Sequence, residues 1–267
     1  MSNMSDIKVV VNGALGRMGQ EVLNAVNKTE GLIPVAGSDV AASTSTVKIP
    51  NSSIEIPIFK NISDALSYSD VVVDFSNASG AMKVITAASN AGVNCVIGST
   101  GLSDEDFKTA KSLSEKNKVS VIIAPNFAIG AVLMTHLVKE SAKFFDYADL
   151  TEVHHEAKID SPSGTAISIA QAAFDGKKSN FKNPTPEKDL IDHTRGGSFN
   201  GVVIHSGRMP GRVAHHEMVF ASLGQTLTIR HDSINRESFM PGVVMAIKAT
   251  LELEGLTIGL DKIMGLK

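Results

Sequence analysis

The chain has 267 residues, of which 43% are hydrophobic, and this is enough apolar material for one large domain or two smaller ones. A formal net charge of −3 and a pI near 6.2 provide no overall basic field, which argues against nucleic acid as a partner. The single cysteine excludes a disulfide bond within the chain, and no apolar stretch approaches the length of a membrane span.

The N-terminus lacks a basic segment followed by a long apolar run, so it does not show the pattern of a secretory signal. A cytoplasmic protein without membrane association is therefore expected. Cys95 lies within the apolar run Val93–Ile97, where the role of a small buried hydrophobe is favoured over that of a nucleophile.

The first half alternates short apolar runs with helical patterns. Strands are predicted at 7–12, 32–38, 71–75, 93–97 and 119–124, and helices at 17–26, 78–91 and 103–118. Continuous apolar strands separated by helices predict a parallel sheet covered on both faces, that is, a Rossmann-like, doubly wound α/β fold. Segment 41–60 is predicted to be a loop with an edge strand, and Ser103 with Asp106 has the spacing of a capping box.

The first strand ends in a glycine-rich turn, Gly13, Gly16 and Gly19, that opens a helix. This context predicts a dinucleotide site, because glycines let the backbone approach a pyrophosphate and the helix N-terminus faces its charge. A tight structural turn is the alternative interpretation. Asp39 stands about 20 residues beyond the last glycine, where an acidic residue can bind an adenosine ribose.

Local charge around Asp39 favours NADH over NADPH. The carboxylate would repel a ribose phosphate, and the following Val40–Ser43 contains no lysine or arginine. Arg17, in the glycine turn, could still bind a phosphate. The expected cofactor is therefore NADH or NADPH, with a tilt to NADH.

After Pro125 the pattern changes to that of a second α+β domain. A helix is predicted from Ile129, strands at 147–156, 201–206, 213–221 and 225–231, and long loops at 174–200. The period-two alternation of Thr226–Arg230 suits a mostly antiparallel sheet. A helix-rich segment at 239–264 is expected to return to the first domain. The predicted domains are 1–126 with 237–267, for the dinucleotide, and 127–236, for the substrate and oligomerisation.

Residues 151–165 form the predicted chemical centre. His154, His155 and Lys158 follow a predicted strand end and precede a helix start at Ser161–Thr165. A cation, two histidines and a helix N-terminus predict a site for a carboxylate or phosphate. In the alternative interpretation, one histidine belongs to the core and the other to the surface, and the Ser-Gly-Thr sequence only caps the helix.

Six motifs then stand in a specific order: Gly13–Gly19, Asp74–Ser76, Gly98–Gly101, Ala124–Phe127, Glu152–Lys158 and Asp160–Thr165. With these motifs the chain resembles, over nearly its whole length, the dihydrodipicolinate reductases of bacterial and plant lysine and diaminopimelate biosynthesis. The resemblance implies a homotetrameric oxidoreductase. Its reaction would be the NAD(P)H-dependent reduction of the dicarboxylate 4-hydroxy-tetrahydrodipicolinate, or its dehydrated form, to tetrahydrodipicolinate.

The resemblance also implies residue roles. Pyrophosphate contacts are expected from Gly13, Ala14, Leu15, Gly16, Arg17 and Met18, a ribose contact from Asp39, a further cofactor contact from Phe75, and nicotinamide contacts from Gly98, Ser99, Thr100, Ala124, Pro125, Asn126 and Phe127. His154 would be the proton donor, His155 a substrate contact, and Lys158 a second donor or a carboxylate ligand. Ser163, Gly164 and Thr165 would bind a carboxylate. The family usually has threonine where Ser76 and Ser99 stand, but serine keeps the hydroxyl.

Other polar clusters receive a structural interpretation. His215 and His216 suggest a metal site with His154 and His155. Neighbouring strand residues point to opposite faces, so at most one histidine of each pair could face a common ion, and the ligand spacing is not that of structural zinc; no metal is predicted. Sheet-face or subunit-interface positions are predicted for Arg208, Arg212, Arg230 and Arg236.

Two other functions stay open at this stage. An NAD(H)-sensing regulatory protein would bind cofactor without turnover, and a dehydrogenase of another small dicarboxylate would differ in substrate alone. Binding of pyridine-2,6-dicarboxylate, a flat mimic of the dicarboxylate ring, would discriminate the reductase from such a dehydrogenase.

Overall fold

The structure, a computed structural model, describes residues 6–184, 186–188 and 190–266. The chain divides into two compact units: unit 1 contains the chain up to Phe127 together with Phe239–Leu266, and unit 2 contains Ala128–Ser238. The predicted domains begin at residue 1 and end at residue 267, and the predicted loop region includes residues 185 and 189. Those two loop positions, residues 1–5 and residue 267 lie outside the described residues.

The described residues form thirteen strands and seven α-helices. The strands are β1 (Ile7–Asn12), β2 (Leu32–Ser38), β3 (Thr46–Lys48), β4 (Glu55–Phe59), β5 (Val71–Asp74), β6 (Asn94–Ile97), β7 (Ser120–Ile123), β8 (Tyr147–His154), β9 (Gly197–Phe199), β10 (Val202–Arg208), β11 (Ala214–Ser222), β12 (Gln225–Ser233) and β13 (Gly255–Ile258). The helices are α1 (Arg17–Lys28), α2 (Ala78–Asn90), α3 (Asp104–Asn117), α4 (Ile129–Ala142), α5 (Gly164–Lys177), α6 (Met240–Ala249) and α7 (Leu260–Ile263). Among the described residues, no helix combines the length and the apolar character that crossing a bilayer requires.

Unit 1 is built on an eight-stranded sheet in the order β13-β7-β6-β5-β1-β2-β4-β3. Neighbouring strands are parallel except for β3, which is antiparallel to β4. Val9–Val11 and Val71–Val73 are fully buried, as expected for central parallel strands covered on both faces. The Rossmann-like class predicted for this part of the chain is confirmed.

The predicted capping box of α3 is also confirmed. The Ser103 hydroxyl accepts the backbone N–H of Asp106 at 3.2 Å, and the Asp106 carboxylate accepts the backbone N–H of Ser103 at 2.8 Å. Both bonds satisfy N–H groups that a helix start leaves without intrahelical partners.

Unit 2 contains a five-stranded sheet in the order β12-β11-β8-β10-β9. Strand β10 runs parallel to β8, and the other neighbours are antiparallel. Helices α4 and α5 contribute Met134, Val138 and Ile169 to a core that includes Leu150 and Met218 from the sheet. The mostly antiparallel α+β part of the predicted fold class is confirmed.

Strand β8 shows why the apolar core of unit 2 ends in a polar cluster. Its buried positions alternate, as Ala148, Leu150, Glu152 and His154. Since side chains two residues apart lie on the same face of a strand, Glu152 and His154 continue the row that Leu150 occupies in the core. The core-facing side of β8 therefore changes from apolar to ionisable toward its C-terminal end.

The C-terminal segment 239–264 is helix-rich, as predicted, but it also contains a strand that was not predicted. Between α6 and α7, Gly255–Ile258 forms β13, which pairs in parallel with Ser120–Ile123 of β7. Four residues are too few to show a strand period, so pairing with an existing strand, rather than local pattern, decides this conformation.

Two predicted loop regions also contain regular structure. Segment 41–60 holds two strands, β3 and β4, where one edge strand was expected, and β4 extends the parallel sheet beside β2. Within 174–200, α5 continues to Lys177 and Gly197–Phe199 pairs with β10. A three-residue strand at a sheet edge carries almost no local signal, because its stability comes from the partner strand.

Candidate active site

Two positions of the glycine turn in unit 1, Gly13 and Gly19, tolerate only glycine. Gly13 has a φ of +74°, in the left-handed region, and a Cβ there would lie 3.2 Å from the carbonyl oxygen of Phe75. At Gly19 a Cβ would collide with the backbone carbonyl of Gly13. The backbone of the turn at Gly13 therefore lies against the first turn of α1. The N-terminus of α1 at Gly16 is exposed and is available to an anion.

Asp39 lies directly after β2 and is hydrogen-bonded to the glycine turn. One carboxylate oxygen accepts the backbone N–H of Leu15 at 3.0 Å, and the other accepts that of Ala41 at 3.0 Å. Of the other residues predicted in this turn, Ala14 is buried, Met18 is half-buried, and Leu15 and Arg17 are exposed. The structure thus brings the predicted ribose ligand and the predicted pyrophosphate turn together.

A cavity of about 700 Å³ lies against this turn and is lined by Gly13, Gly16, Asp39 and Lys60, among others. Lys60 was not considered from the sequence. It follows β4, whose Phe59 is paired with Ser38 at the end of β2, and the Phe59 carbonyl accepts the N–H of Asp39 at 2.9 Å. The order of strands β2 and β4 is the signal that would have identified it, and the sequence alone does not provide that order.

Asp74 is a second residue that sequence reasoning gave no role. It is completely buried at the end of β5, and its carboxylate accepts hydrogen bonds from Asn12 Nδ2 at 2.6 Å, Ser76 Oγ at 2.7 Å and Ser99 Oγ at 2.6 Å. These donors follow or end three neighbouring strands. Asp74 therefore connects the carboxyl ends of β1, β5 and β6, and it holds the hydroxyl of the predicted nicotinamide contact Ser99.

The remaining predicted nicotinamide contacts lie around two aromatic rings. The rings of Phe75 and Phe127 are 5.6 Å apart at 59°, and the ring of Phe75 covers Gly98 so closely that a Cβ there would collide with it. The backbone N–H of Ala124 donates a hydrogen bond to the carbonyl of Ile97, at the end of β6, at 3.1 Å. Ala124 is buried, Asn126 is half-buried, and Thr100 and Pro125 are exposed.

In unit 2, three ionisable residues from two strands meet on the core-facing side of the sheet. Glu152 and His154 come from β8 and His216 from β11, and all three are buried. His154 Nδ1 is hydrogen-bonded to Glu152 Oε2, and the rings of His154 and His216 meet edge to face at 5.3 Å. His215, on the opposite side of β11, pairs with Asp232 at 2.6 Å instead.

Arg208 completes this cluster, and the prediction that it belongs to a sheet face or a subunit interface does not describe its contacts. Its Nη1 and Nη2 donate to the two oxygens of Glu152 at 3.1 and 2.9 Å. The parallel register of β10 and β8 pairs Arg208 with His154, which places the guanidinium next to the carboxylate. The pairing of these two strands cannot be read from either strand alone.

The N-terminus of α5 lies against the same cluster. Ser163 is buried, and its Oγ caps the helix by accepting the N–H of Ala166 at 3.1 Å. The same Oγ lies 3.2 Å from His216 Nε2. The backbone N–H of Ser163 donates to Glu152 at 3.3 Å. The N–H groups of Gly164 and Thr165 have no intrahelical acceptor by helix geometry. The predicted carboxylate ligands are therefore tied to the predicted proton donor.

Lys158 and His155 lie in the turn that connects β8 to α5. Lys158 Nζ is 2.7 Å from Asp160 Oδ1, and its backbone N–H donates to the carbonyl of His155 at 3.2 Å. The side chain of Lys158 is largely buried, whereas His155 is exposed. After burial, and against the influence of Glu152, the charge of Lys158 also lowers the pKa of His154, so these two residues lie in one local cluster.

Burial and charge give the two buried histidines different proton affinities. Burial lowers the pKa of His154 below its ordinary value, although Glu152 acts in the opposite direction. Burial also lowers the pKa of His216 to about 4, with a further contribution from the charge of His154. Burial would raise the pKa of Glu152, but hydrogen bonds from Arg208 and its neighbours outweigh burial and lower it. Glu152 is thus a carboxylate, and His216 is neutral, at pH 7.

The same cluster has a spacing that a metal ion tolerates. Ligand-type atoms of Glu152, His154 and His216 lie within 4.8 Å of one another. Both oxygens of Glu152, however, already accept N–H groups of Arg208, whose positive charge opposes a divalent cation. The donor set is that of a hydrogen-bond network.

A parallel α/β unit with a glycine turn, together with a unit carrying a buried histidine–carboxylate pair, defines a nucleotide-dependent oxidoreductase. Family models described as dihydrodipicolinate reductase, N-terminus, and dihydrodipicolinate reductase, C-terminus, match residues 7–127 and 130–264. The chain belongs to the dihydrodipicolinate reductase family. The resemblance stated from the six motifs is confirmed.

Individual relatives agree with this assignment. A 4-hydroxy-tetrahydrodipicolinate reductase of Dehalococcoides mccartyi is 43% identical over 98% of this chain and 100% of its own length. One from Listeria welshimeri is 38% identical over 97% of this chain and 100% of its own length. The dipicolinate-bound dihydrodipicolinate reductase of Paenisporosarcina sp. TG-14 superposes with a TM-score of 0.87 at 36% identity, covering 97% of this chain and 99% of that one.

Proposed function

We propose that this chain reduces 4-hydroxy-tetrahydrodipicolinate, or its dehydrated form, to tetrahydrodipicolinate in lysine and diaminopimelate biosynthesis. The name of this activity is carried by relatives that match over their full length. The observation that carries the proposal is the buried His154–Glu152 pair beside the N-terminus of α5. In this proposal unit 1 binds the cofactor and unit 2 binds the substrate.

Binding of a dicarboxylate is assigned to the residues around the start of α5. The N–H groups of Gly164 and Thr165 and the partial positive charge of the helix N-terminus suit one carboxylate. Lys158 and His155 supply cationic or hydrogen-bonding groups for the other, and Ser163 fixes the helix end against the donor cluster. A Paenisporosarcina relative described as dipicolinate-bound supports a flat dicarboxylate as the ligand class.

Proton delivery is assigned to His154, with Lys158 as the alternative donor. When bound, the nicotinamide cofactor supplies a hydride to the substrate ring. The neighbouring ring carbon then requires a proton, and imidazole is the side chain whose ordinary pKa is closest to neutral pH. Lys158 also places positive charge where negative charge develops on the ring.

The residues of unit 1 fit a dinucleotide cofactor. Gly13 and Gly19 leave room for close backbone approach, and Asp39 presents a carboxylate beside the cavity. Asp39 favours NADH because it repels a ribose phosphate. Lys60 in the same cavity and Arg17 in the turn supply positive charge that offsets this repulsion. These charges support the use of both cofactors, with NADH preferred.

No metal is assigned a role in the reaction. This part of the proposal rests on Arg208, which holds both oxygens of Glu152 with a fixed positive charge. Assay of the purified protein after dialysis against a chelator checks it, and the expected turnover equals that of untreated protein. Loss of turnover that zinc alone restores would contradict this assignment.

We predict a homotetramer and a cytoplasmic location for this protein. The family resemblance suggests a homotetramer formed through the second unit, and light scattering coupled to size-exclusion chromatography measures the mass against 28.2 kDa per chain. A cytoplasmic location is predicted from the sequence and is checked by fractionating cells of the source organism.

The primary test is oxidation of NADH, and separately NADPH, with substrate generated from pyruvate and aspartate semialdehyde by a dihydrodipicolinate synthase. Rapid oxidation is expected only with the complete mixture and with both cofactors. Controls omit the synthase, the aldehyde or this protein in turn. Cofactor binding without oxidation would reject the reductase and favour a cofactor sensor, whereas oxidation with a different dicarboxylate would favour another dehydrogenase.

A further inference from the structure

We propose that Glu152, held by Arg208, is the positioning residue that fixes the tautomer of His154 and stabilises its imidazolium form for proton delivery from Nε2. The inference rests on the proposed function, because it assigns Glu152 and Arg208 to the same proton transfer. Neither residue contacts the substrate in this assignment. Both act through His154.

Arg208 and a backbone N–H hold the carboxylate of Glu152. Arg208 donates to both oxygens of Glu152, and its two terminal nitrogens also donate to the carbonyls of Gly207 at 2.6 Å and Asp160 at 2.7 Å. The backbone N–H of Ser163 donates to Glu152 Oε1. Because the guanidinium is fixed by backbone on two sides, the plane of the Glu152 carboxylate is fixed as well.

The hydrogen bond to Glu152 determines which ring nitrogen of His154 carries the proton. An ionised carboxylate only accepts hydrogen bonds, so the bond between Glu152 Oε2 and His154 Nδ1 places a proton on Nδ1. In the neutral ring Nε2 then has no proton to give. His154 delivers a proton only as imidazolium, through Nε2–H, and afterwards it keeps the Nδ1–H that Glu152 already accepts. The donor returns to its starting state by taking one proton from water.

Charged groups from several elements face His154. Glu152 on its own strand favours the imidazolium, whereas Arg208 from β10 and Lys158 from the turn before α5 oppose it, and burial opposes it most. Neutral His216 from β11 meets its ring edge, and Asp160 pairs with Lys158. A substrate carboxylate at Lys158 adds negative charge, so substrate binding raises the pKa of His154. Together with the charge of Glu152, this allows His154 to be protonated near neutral pH.

A matched pair of variants tests this role. Glu152→Gln removes the charge but keeps the shape. Asp149→Asn makes the same change at another carboxylate of β8, which is paired with His205 of β10 at 3.2 Å. Nitrogen-15 NMR titration of the histidine rings, without substrate, is the first readout. Glu152→Gln is expected to lower the pKa of His154 by about one to three units. Asp149→Asn is expected to leave it unchanged.

The second readout is the pH profile of kcat/KM. In Glu152→Gln the fall of kcat/KM on the alkaline side should begin at lower pH by the same shift, because the imidazolium is lost earlier. A profile that keeps its shape and is lowered uniformly would show a merely structural role and overturn the inference. Glu152→Asp, which keeps the charge, should retain more of the wild-type alkaline limb than Glu152→Gln does.

Two features keep the test decisive. If Glu152→Gln does not fold, wild-type protein still answers, because its neutral His154 must carry the proton on Nδ1, and an Nε2–H tautomer would overturn the inference. If wild-type protein does not oxidise cofactor with the proposed substrate, the proposed function fails while the NMR result still reports on Glu152. Turnover in wild type with an unmoved His154 titration in Glu152→Gln rejects the inference alone.

Discussion

Asp39 and Lys60 follow the ends of neighbouring parallel strands and line the same cavity of unit 1. The backbone N–H of Asp39 donates to the carbonyl of Phe59, the residue that precedes Lys60, at 2.9 Å. A carboxylate and an ammonium group, which would have opposite effects on a ribose phosphate, therefore line one cavity.

Lys60→Ala should reduce the use of NADPH more than that of NADH. Loss of one charge-assisted contact to a phosphate corresponds to roughly a tenfold fall in kcat/KM for NADPH, with a much smaller change for NADH. Steady-state kinetics with both cofactors measures the ratio. Lys111→Ala, an exposed residue of α3 outside the cavity, is the matched control. An unchanged ratio in Lys60→Ala would exclude Lys60 from cofactor selection.

His154→Ala and His155→Ala should affect different kinetic constants. Loss of the buried donor His154 should lower kcat by about 10²–10⁴-fold, the usual contribution of general acid catalysis. Loss of the exposed His155 should mainly raise KM. His205→Ala, which removes a histidine of β10 from its pair with Asp149, is the control with near-normal turnover. Near-normal kcat in His154→Ala would leave Lys158 or water as the donor.

Ser163→Ala should destabilise the protein by about 1–3 kcal/mol. The change removes the N-cap of α5 and the hydroxyl partner of buried His216. The N–H of Ala166 and the Nε2 of His216 each lose a hydrogen bond in a buried place that water does not reach. Ser168→Ala in the same helix is the control: its hydroxyl is exposed, and alanine favours helix, so a change within about 0.5 kcal/mol is expected. Urea unfolding measures both free energies. Equal losses in the two variants would contradict the buried network.

Acid should weaken the fold through His216. Its pKa is about 4 in the folded chain and 6.5 for the ordinary group, so the unfolded chain binds more protons between these values. The stability attributable to neutral His216 is therefore fully present above pH 6.5 and falls as the pH decreases toward about 4. The free energy of unfolding, measured in urea from pH 7 to pH 5, should decrease less steeply in His216→Asn. Identical slopes in the variant and wild type would refute this role.

Cys95 should be unreactive in the folded protein. Burial, and then the negative charge of Asp74, raise the pKa of its thiol far above the ordinary value, so thiolate is scarce at neutral pH. A thiol reagent should label the native chain only at the rate of opening or unfolding, and should find one thiol per chain in denaturant. Labelling of native protein as fast as that of the denatured chain would contradict the buried position.

Much of the fold and part of the site could be predicted from neighbouring residues. The strand Ile7–Asn12 has the predicted limits, and the Ser103 capping box forms as its spacing indicated. Apolar runs, caps and glycine turns are local properties, so a segment of sequence contains the information. The cluster of His154 and Lys158 was predicted for the same reason, since a single strand-turn-helix segment carries both.

Other features depend on which strands become neighbours. Glu152 and Arg208 are separated by 56 residues, and the parallel register of β8 and β10 brings them together. Lys60 and Asp39 line one cavity because β4 pairs with β2, and β13 is a strand because it pairs with the edge of β7. Hydrogen bonding across a sheet is satisfied by any partner of suitable length, so a strand's own residues do not specify its neighbour. The sequence by itself determined most of the elements, the glycine turn and the motif at 151–165, whereas the tertiary packing decided strand β13 and which charges surround that motif.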